Sequence, residues 1–418
     1  MPPSAAISEE YVRRLSTLSR QLIPRPVVFQ LAVKSENAFN ASFEEKVRVH
    51  VNETSGDPQG KRDGFVLPAA YKHLCSHDVV AGAAEWSKVR RPGVGLYNLG
   101  NTCFLNSVLQ CLTYTTPLAE LALQKRHTRR ARTEDMYTVF ERHVARVLNK
   151  KGGGGMGSFS PSQIVSKLRG ISRTFQVGRQ EDAHEFLRTF VDSLQKASLR
   201  VGGKSDNDLS RIAETTVVHQ IFGGYVQSQV KCRKCNFSST RFDACLDVSL
   251  ELNNAVANVA SALKLHTVVE SLDRDNRWHC TVCRKLVPAT KRLQFRKLPT
   301  VLILHLKRFS PFGGKFSKAI KYNLTLDMKP FMTDVNEEID CEFSLYGVLV
   351  HSGHSTNSGH YYCFVKAPSG AWYEMNDSDV HQVGAKTVLQ QQAYILFYQK
   401  SKLSKPPVSV TSASPSSS

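Results

Sequence analysis

Gly95-Leu-Tyr-Asn98-Leu-Gly100-Asn-Thr-Cys103-Phe-Leu-Asn-Ser-Val-Leu-Gln-Cys-Leu112 changes character at its midpoint. Gly95, Gly100 and Asn101 suit a turn. Phe104, Leu105, Val108, Leu109 and Leu112 recur at helical spacing and predict a helix with one apolar face. Cys103 falls at the junction, in the first helical turn, where unpaired N–H groups and the positive end of the helix dipole favour a thiolate. A thiolate attacks carbonyl carbon, whereas a lone buried cysteine is more often a small core residue. The choice between the two depends on what else the chain supplies.

About 250 residues on, Leu345–Val350 and Tyr361–Val365 read as strands joined by a polar, glycine-containing loop, with His360 ending the loop. Trp372-Tyr-Glu-Met-Asn376-Asp377 follows. A cysteine nucleophile needs an imidazole to take its proton, and the imidazole needs an acceptor to fix its tautomer. Cys103, His360 and Asn376 or Asp377 supply these parts.

Asn98–Leu112, Gly359–Tyr362 and Trp372–Asp377 resemble the cysteine and histidine boxes of the ubiquitin-specific protease family of deubiquitinases, and the likeness runs from about Pro92 to Tyr398. The resemblance implies an α+β, papain-like fold with a helical thumb, a β palm and zinc-ribbon β fingers. It makes Cys103 the nucleophile, His360 the general base and Asn376 the orienting residue, with Asp377 as a second polar support. Asn98 matches the oxyanion-hole amide. Gln180-Glu-Asp182-Ala-His184-Glu185-Phe resembles the motif along the channel for ubiquitin's tail, so Gln180, Asp182 and Glu185 are expected to meet its arginines. On the bare sequence, acids in a first helical turn also complement the dipole. By the same likeness Phe309, in Leu306-Lys-Arg-Phe309, together with Gly359 and Tyr361, faces the substrate. His351 and His354 invite a metal reading with His360, but without carboxylate or cysteine partners a loop closing on substrate is preferred.

Cys232-Arg-Lys-Cys235 and Cys280-Thr-Val-Cys283 are two tight-turn pairs that can close a tetrahedron around structural zinc. Catalysis needs no cofactor.

The bulk composition fits this reading. The chain has 418 residues, 41% hydrophobic, with ten cysteines and no run of 18 apolar residues, which argues for a globular protein with no membrane contact. The formal charge is 55 − 36 = +19. With Lys125-Arg-His-Thr-Arg-Arg-Ala-Arg132, it points to RNA or another polyanion. Residues 1–90 read as an N-terminal flank, with a short helix at Tyr11–Ile23 and a strand at Val27–Val33. Residues 91–399 form the catalytic domain, with the fingers inserted at about 214–300, and 400–418 a disordered Ser/Pro-rich tail. Cys111–Leu118, Val218–Gly224 and Gln391–Tyr394 most resemble the family's nucleolar branch, implying a nuclear, nucleolar or cytoplasmic setting. Asp243-Ala244 departs from the usual Asp-Pro. A peptidase for a ubiquitin-like modifier, a non-catalytic ubiquitin binder and an RNA-binding protein are the alternatives.

Overall fold

Three apolar runs, Val301-Leu-Ile-Leu-His-Leu306, Leu345–Val350 and Ala393-Tyr-Ile-Leu-Phe-Tyr398, are nearly unbroken, the pattern of strands covered on both faces. In the computed structural model they form the middle of one sheet. The structure describes residues 74–149, 157–205, 212–309, 314–333, 340–355 and 358–402, all within the unit Arg62–Ser418. The expected segments Tyr11–Ile23 and Val27–Val33, the glycine run from 150 to 156 and most of the tail lie outside these residues.

The described strands are β1 (Gly224–Cys232), β2 (Ser238–Cys245), β3 (Val248–Leu250), β4 (Glu270–Leu272), β5 (Trp278–Cys280), β6 (Lys285–Val287), β7 (Ala289–Lys297), β8 (Val301–Leu306), β9 (Thr325–Asp327), β10 (Glu342–Ser355), β11 (Ser358–Lys366), β12 (Trp372–Asn376), β13 (Asp379–Val383) and β14 (Ala393–Lys400). The palm sheet runs β13-β12-β11-β10-β14-β8-β3, with β9 beside β10. The β3–β8 pair is parallel and the other pairings are antiparallel. A second sheet runs β2-β1-β7-β4, and β5 and β6 form a separate two-stranded hairpin.

Alternation along the central strands sends side chains into two cores. Val301, Ile303, Leu349, Ile395 and Phe397 face the helical layer. Leu302, Leu304, Val348, Val350 and Leu396 face the opposite core, which is backed by a helix at Val259–Thr267. Burying each such side chain stabilises the fold by about 1.5–3 kcal/mol relative to exposure. That backing helix has no strong apolar period, but its start is written in the chain: Asn258 and Ser261 form a reciprocal capping box.

The helical layer comprises α1 (Cys103–Thr113), α2 (Thr116–Leu123), α3 (Met136–Asn149), α4 (Ala183–Val201) and α5 (Val217–Phe222). Every residue of α1 is buried, so the expected single apolar face is incomplete. Its polar positions tie down other backbone: Asn106 Nδ2 donates to Tyr97 O at 3.3 Å, and Gln110 Nε2 to Val94 O at 3.0 Å. Ser160-Pro-Ser-Gln, a good helix-starting arrangement, opens only a single turn, Ser162–Val165. Among the described residues no helix is long and apolar enough to cross a membrane.

The β10–β11 hairpin is longer than its sequence implied. His360 does not end a loop; it is the third residue of β11, paired with Ser352. Gly353 (φ 152°) and Gly359 (φ 151°) allow this. A Cβ on Gly359 would lie 2.5 Å from both Ser352 O and His351 Nε2, so only glycine lets the strands continue here.

Candidate active site

The turn before Cys103 is built by one side chain. Asn98 Oδ1 accepts from the N–H groups of Gly100 and Thr102, both at 3.1 Å, and Thr102 Oγ1 accepts from Leu99 N at 2.9 Å. Gly100 (φ 93°) and Asn101 (φ 57°) take the left-handed conformations that these bonds require. Cys103 then opens α1, only 2% exposed.

His360 reaches it from the palm. The His360 pKa is raised to about 9, first by its hydrogen bond with Cys103, then by that with Asn376, with the charge of Asp377 adding and burial opposing. Asn376 Oδ1 lies 2.7 Å from His360 Nε2, so Nδ1 is the ring nitrogen that Asn376 does not engage. Asp377 (φ 49°) binds thumb to palm. Its carboxylate accepts from Asn98 Nδ2 at 2.9 Å and Asn106 Nδ2 at 2.8 Å, and its carbonyl from Leu96 N at 2.7 Å. Asp377 therefore touches the cysteine turn, while Asn376 alone of the two holds the imidazole. The Asn98 amide gives one hydrogen to Asp377 and retains a second.

A cleft of about 1040 Å³ lies between α4 and the palm, lined by Asp182, Glu185, Asp247, His305, Phe309 and Tyr394 among others; Cys103, His360 and Asn376 are not among its lining residues. Asp182 is the N-cap of α4 rather than part of it: Oδ1 accepts from His184 N at 2.7 Å and Glu185 N at 3.0 Å, and Oδ2 from the Tyr394 hydroxyl at 2.6 Å. Gln180 bridges the two walls, with Nε2 donating to Gly359 O and Oε1 accepting from Gly359 N, both at 2.9 Å. Gln180 and Asp182 thus have intramolecular partners, whereas the Glu185 carboxylate stays exposed and, among the described residues, accepts only from Thr174 Oγ1 at 3.3 Å. Phe309 packs edge-on against His351 and Tyr394. Tyr361 is buried beside His351, and burial raises its pKa. His351 is turned inward rather than toward a metal; burial, aided by the Lys315 charge, lowers its pKa to about 4.

Three residues here escaped the sequence reading. His305 stacks on His184 at 3.6 Å, and burial, then the His184 charge, lowers its pKa to about 2. Asp247 pairs with His184 at 2.8 Å. Arg308 is 1% exposed and donates to the carbonyls of Ala393, Phe316 and Lys318 at 2.6, 2.9 and 2.9 Å. The available signal was a lone arginine closing an apolar strand.

At the fingertip, the sulfurs of Cys232, Cys235, Cys280 and Cys283 all lie within 4.8 Å of one another. Cys232–Cys283 and Cys235–Cys280 are separated by 3.9 and 3.6 Å. A tetrahedron with Zn–S bonds of about 2.3 Å requires sulfurs about 3.8 Å apart, so the set fits zinc. Backbone N–H groups of Lys234 and Cys235 point at Cys232 Sγ, and that of Cys283 at Cys280 Sγ. Asn236 (φ 59°) and Arg284 (φ 52°) close the two equivalent turns.

The sequence was compared with known proteins. A family model described as ubiquitin carboxyl-terminal hydrolase matches residues 94–398. Human ubiquitin carboxyl-terminal hydrolase 42 is 44% identical over 320 residues, 76% of this chain and 24% of that protein. Ubiquitin carboxyl-terminal hydrolase 23 of Arabidopsis thaliana is 42% identical, over 75% of this chain and 36% of the relative. The chain therefore spans about a quarter to a third of these two relatives. For the probable ubiquitin carboxyl-terminal hydrolase 16 of Schizosaccharomyces pombe, 41% identity extends over 77% of this chain and 69% of the relative. The SAGA Ubp8/Sgf11/Sus1/Sgf73 DUB module bound to ubiquitin aldehyde contains a chain that superposes with TM-score 0.65 at 27% identity, covering 76% of this chain and 72% of that one. The thumb, palm and fingers seen here are thus those of a known group, and this chain belongs to the ubiquitin carboxyl-terminal hydrolase family, in its ubiquitin-specific protease branch.

Proposed function

We propose that this chain is a deubiquitinase that hydrolyses isopeptide bonds at the C-terminal glycine of ubiquitin. The observation that carries this reading is the placement of Cys103 at the start of α1, packed against the strand of His360, with His360 Nε2 held by Asn376 at 2.7 Å and its pKa raised by Cys103 and then Asn376. The Cys103 thiolate attacks the glycine carbonyl carbon, and charge develops on its oxygen. The remaining hydrogen on Asn98 Nδ2 and the N–H groups at the start of α1 are the donors for that oxyanion. The tetrahedral intermediate collapses as His360 gives its proton to the lysine amine, breaking the C–N bond and leaving a thioester on Cys103. Neutral His360 then takes a proton from water, which displaces the sulfur and releases ubiquitin's carboxylate.

Ubiquitin's tail is basic, and the acids at the cleft, Glu185 foremost, match it in charge. Gln180 and Gly359, bonded to each other, and the adjacent Tyr361 are among the residues that the family resemblance assigns to substrate binding. Cys232, Cys235, Cys280 and Cys283 would hold a zinc ion, which when bound would crosslink the fingers structurally. The finer reading is of nuclear, including nucleolar, substrates, supported by the charge of +19.

The test is hydrolysis of a ubiquitin C-terminal fluorogenic amide by wild type and Cys103→Ala, with amides of ubiquitin-like modifiers in parallel. Turnover of the ubiquitin amide by wild type alone is expected. Equal turnover by Cys103→Ala would refute the mechanism, and exclusive cleavage of another modifier would reassign the substrate.

A further inference from the structure

The loop after α2 carries Lys125, Arg126, Arg129, Arg130 and Arg132, all exposed, and among the described residues none of the five is in an ion pair. Nearby acids are engaged elsewhere. Glu134 pairs with Arg142 and Lys167. Glu141, 1% exposed, accepts from His127 N at 2.8 Å, Thr128 N at 2.9 Å and the Thr128 hydroxyl. Asp135 holds His127 Nε2 at 2.8 Å, and His127 stacks on Tyr137 at 4.4 Å. The His127 carbonyl then accepts from Arg130 N and Ala131 N, both at 2.9 Å. Buried Glu141 therefore fixes the loop's backbone, and half-buried Asp135 fixes its His127 side chain, instead of neutralising the loop's cations. A merely solvated charge run needs no such scaffold.

We infer that this loop is a docking site for the phosphate backbone of a nucleic-acid duplex, on a surface separate from the peptidase cleft. Four of the five cations are arginines, whose planar forks match phosphate oxygens. Arg126 and Arg130 stand at the rim of a small cleft otherwise lined mainly by apolar residues such as Leu74, Leu121, Tyr137 and Val217, and none of these residues lines the peptidase cleft. No aromatic or large apolar side chain is exposed in the loop. It thus lacks the stacking platforms of single-strand binders and the apolar face of a membrane-inserting segment. The ligand is read by charge and spacing, not by base.

The experiment measures binding of short fluorescent RNA and DNA duplexes to the full chain across a salt series, with poly-glutamate and anionic lipid vesicles as rival polyanions. If all five cations meet phosphates, the log–log salt slope on duplex DNA carries a contribution of about −4.5, and affinity falls about 10²- to 10³-fold between 50 and 200 mM salt. The variant with all five changed to Gln is expected to lose most of that slope while retaining the melting temperature and ubiquitin-amide turnover of the wild type. Glu141→Gln separates a built site from simple net charge: it adds positive charge yet is expected to bind duplex several-fold more weakly, because the loop loses acceptors. Loss of binding to either duplex in the five-fold variant supports the site, and the duplex affected identifies the ligand. An unchanged slope in that variant, tighter binding by Glu141→Gln, or preference for poly-glutamate or vesicles would overturn it.

Discussion

His360 carries the pH dependence of the proposed chemistry. Its pKa is raised to about 9 by Cys103 first and Asn376 second, so the imidazolium is present below that pH and lost as pH rises through it. The kcat/KM profile for ubiquitin amide is expected to fall on its alkaline side near pH 9. Asn376→Ala removes one raising contact, so the limb should move to lower pH, with about a 100-fold loss of kcat/KM, the lower end of what positioned acid–base catalysis contributes. A pH profile for Asn376→Ala superimposable on wild type would show that the Asn376 hydrogen bond is not what holds the proton. Residue types and their order brought forward Cys103, His360 and Asn376 or Asp377, and the family resemblance chose Asn376. They did not reveal that Asp377 binds Asn98 and Asn106 across the thumb–palm junction, because such pairing depends on how two distant turns meet.

At the scale of elements, Arg308 and the fingertip make separate contributions. Arg308 caps three carbonyls from inside the protein, and burial lowers its pKa to about 10. Each buried carbonyl left without a donor costs about 1–3 kcal/mol. Arg308→Ala is accordingly expected to destabilise the fold by more than about 3 kcal/mol in urea denaturation; a loss under about 1 kcal/mol would mean that water replaces it. Zinc analysis should find one ion per chain, absent in Cys280→Ser. Chelation should lower the melting temperature and raise KM for ubiquitin amide more than it lowers kcat, since the cluster lies outside the chemistry. The strands of the palm were legible because burial on both faces makes continuous apolar runs. The hairpin length was not: glycines such as Gly353 and Gly359 mark turns as readily as close strand contacts. The helix at Val259–Thr267 could have been found from Asn258 and Ser261, whose capping chemistry is local.

Across the whole molecule, two cores share the palm sheet, and the thumb closes against one face of it. This arrangement lets a turn near residue 100 and a strand near residue 360 meet at one sulfur. Charge is divided as well: acids such as Glu185 and Asp247 border the cleft, while Lys125–Arg132 concentrates cations on the helical layer. Composition gave the total of +19 but not this division, which follows only once Glu141 and Asp135 are seen folded under the basic loop. Acyl transfer from ubiquitin to Cys103 is the central step of the proposed function. Its most direct measurement is the intact mass and peptide map of the chain after reaction with ubiquitin bearing a C-terminal electrophile. One ubiquitin linked at Cys103, absent in Cys103→Ala and strongly slowed in His360→Ala, is the predicted result. An adduct on another of the ten cysteines, or none at all, would contradict it.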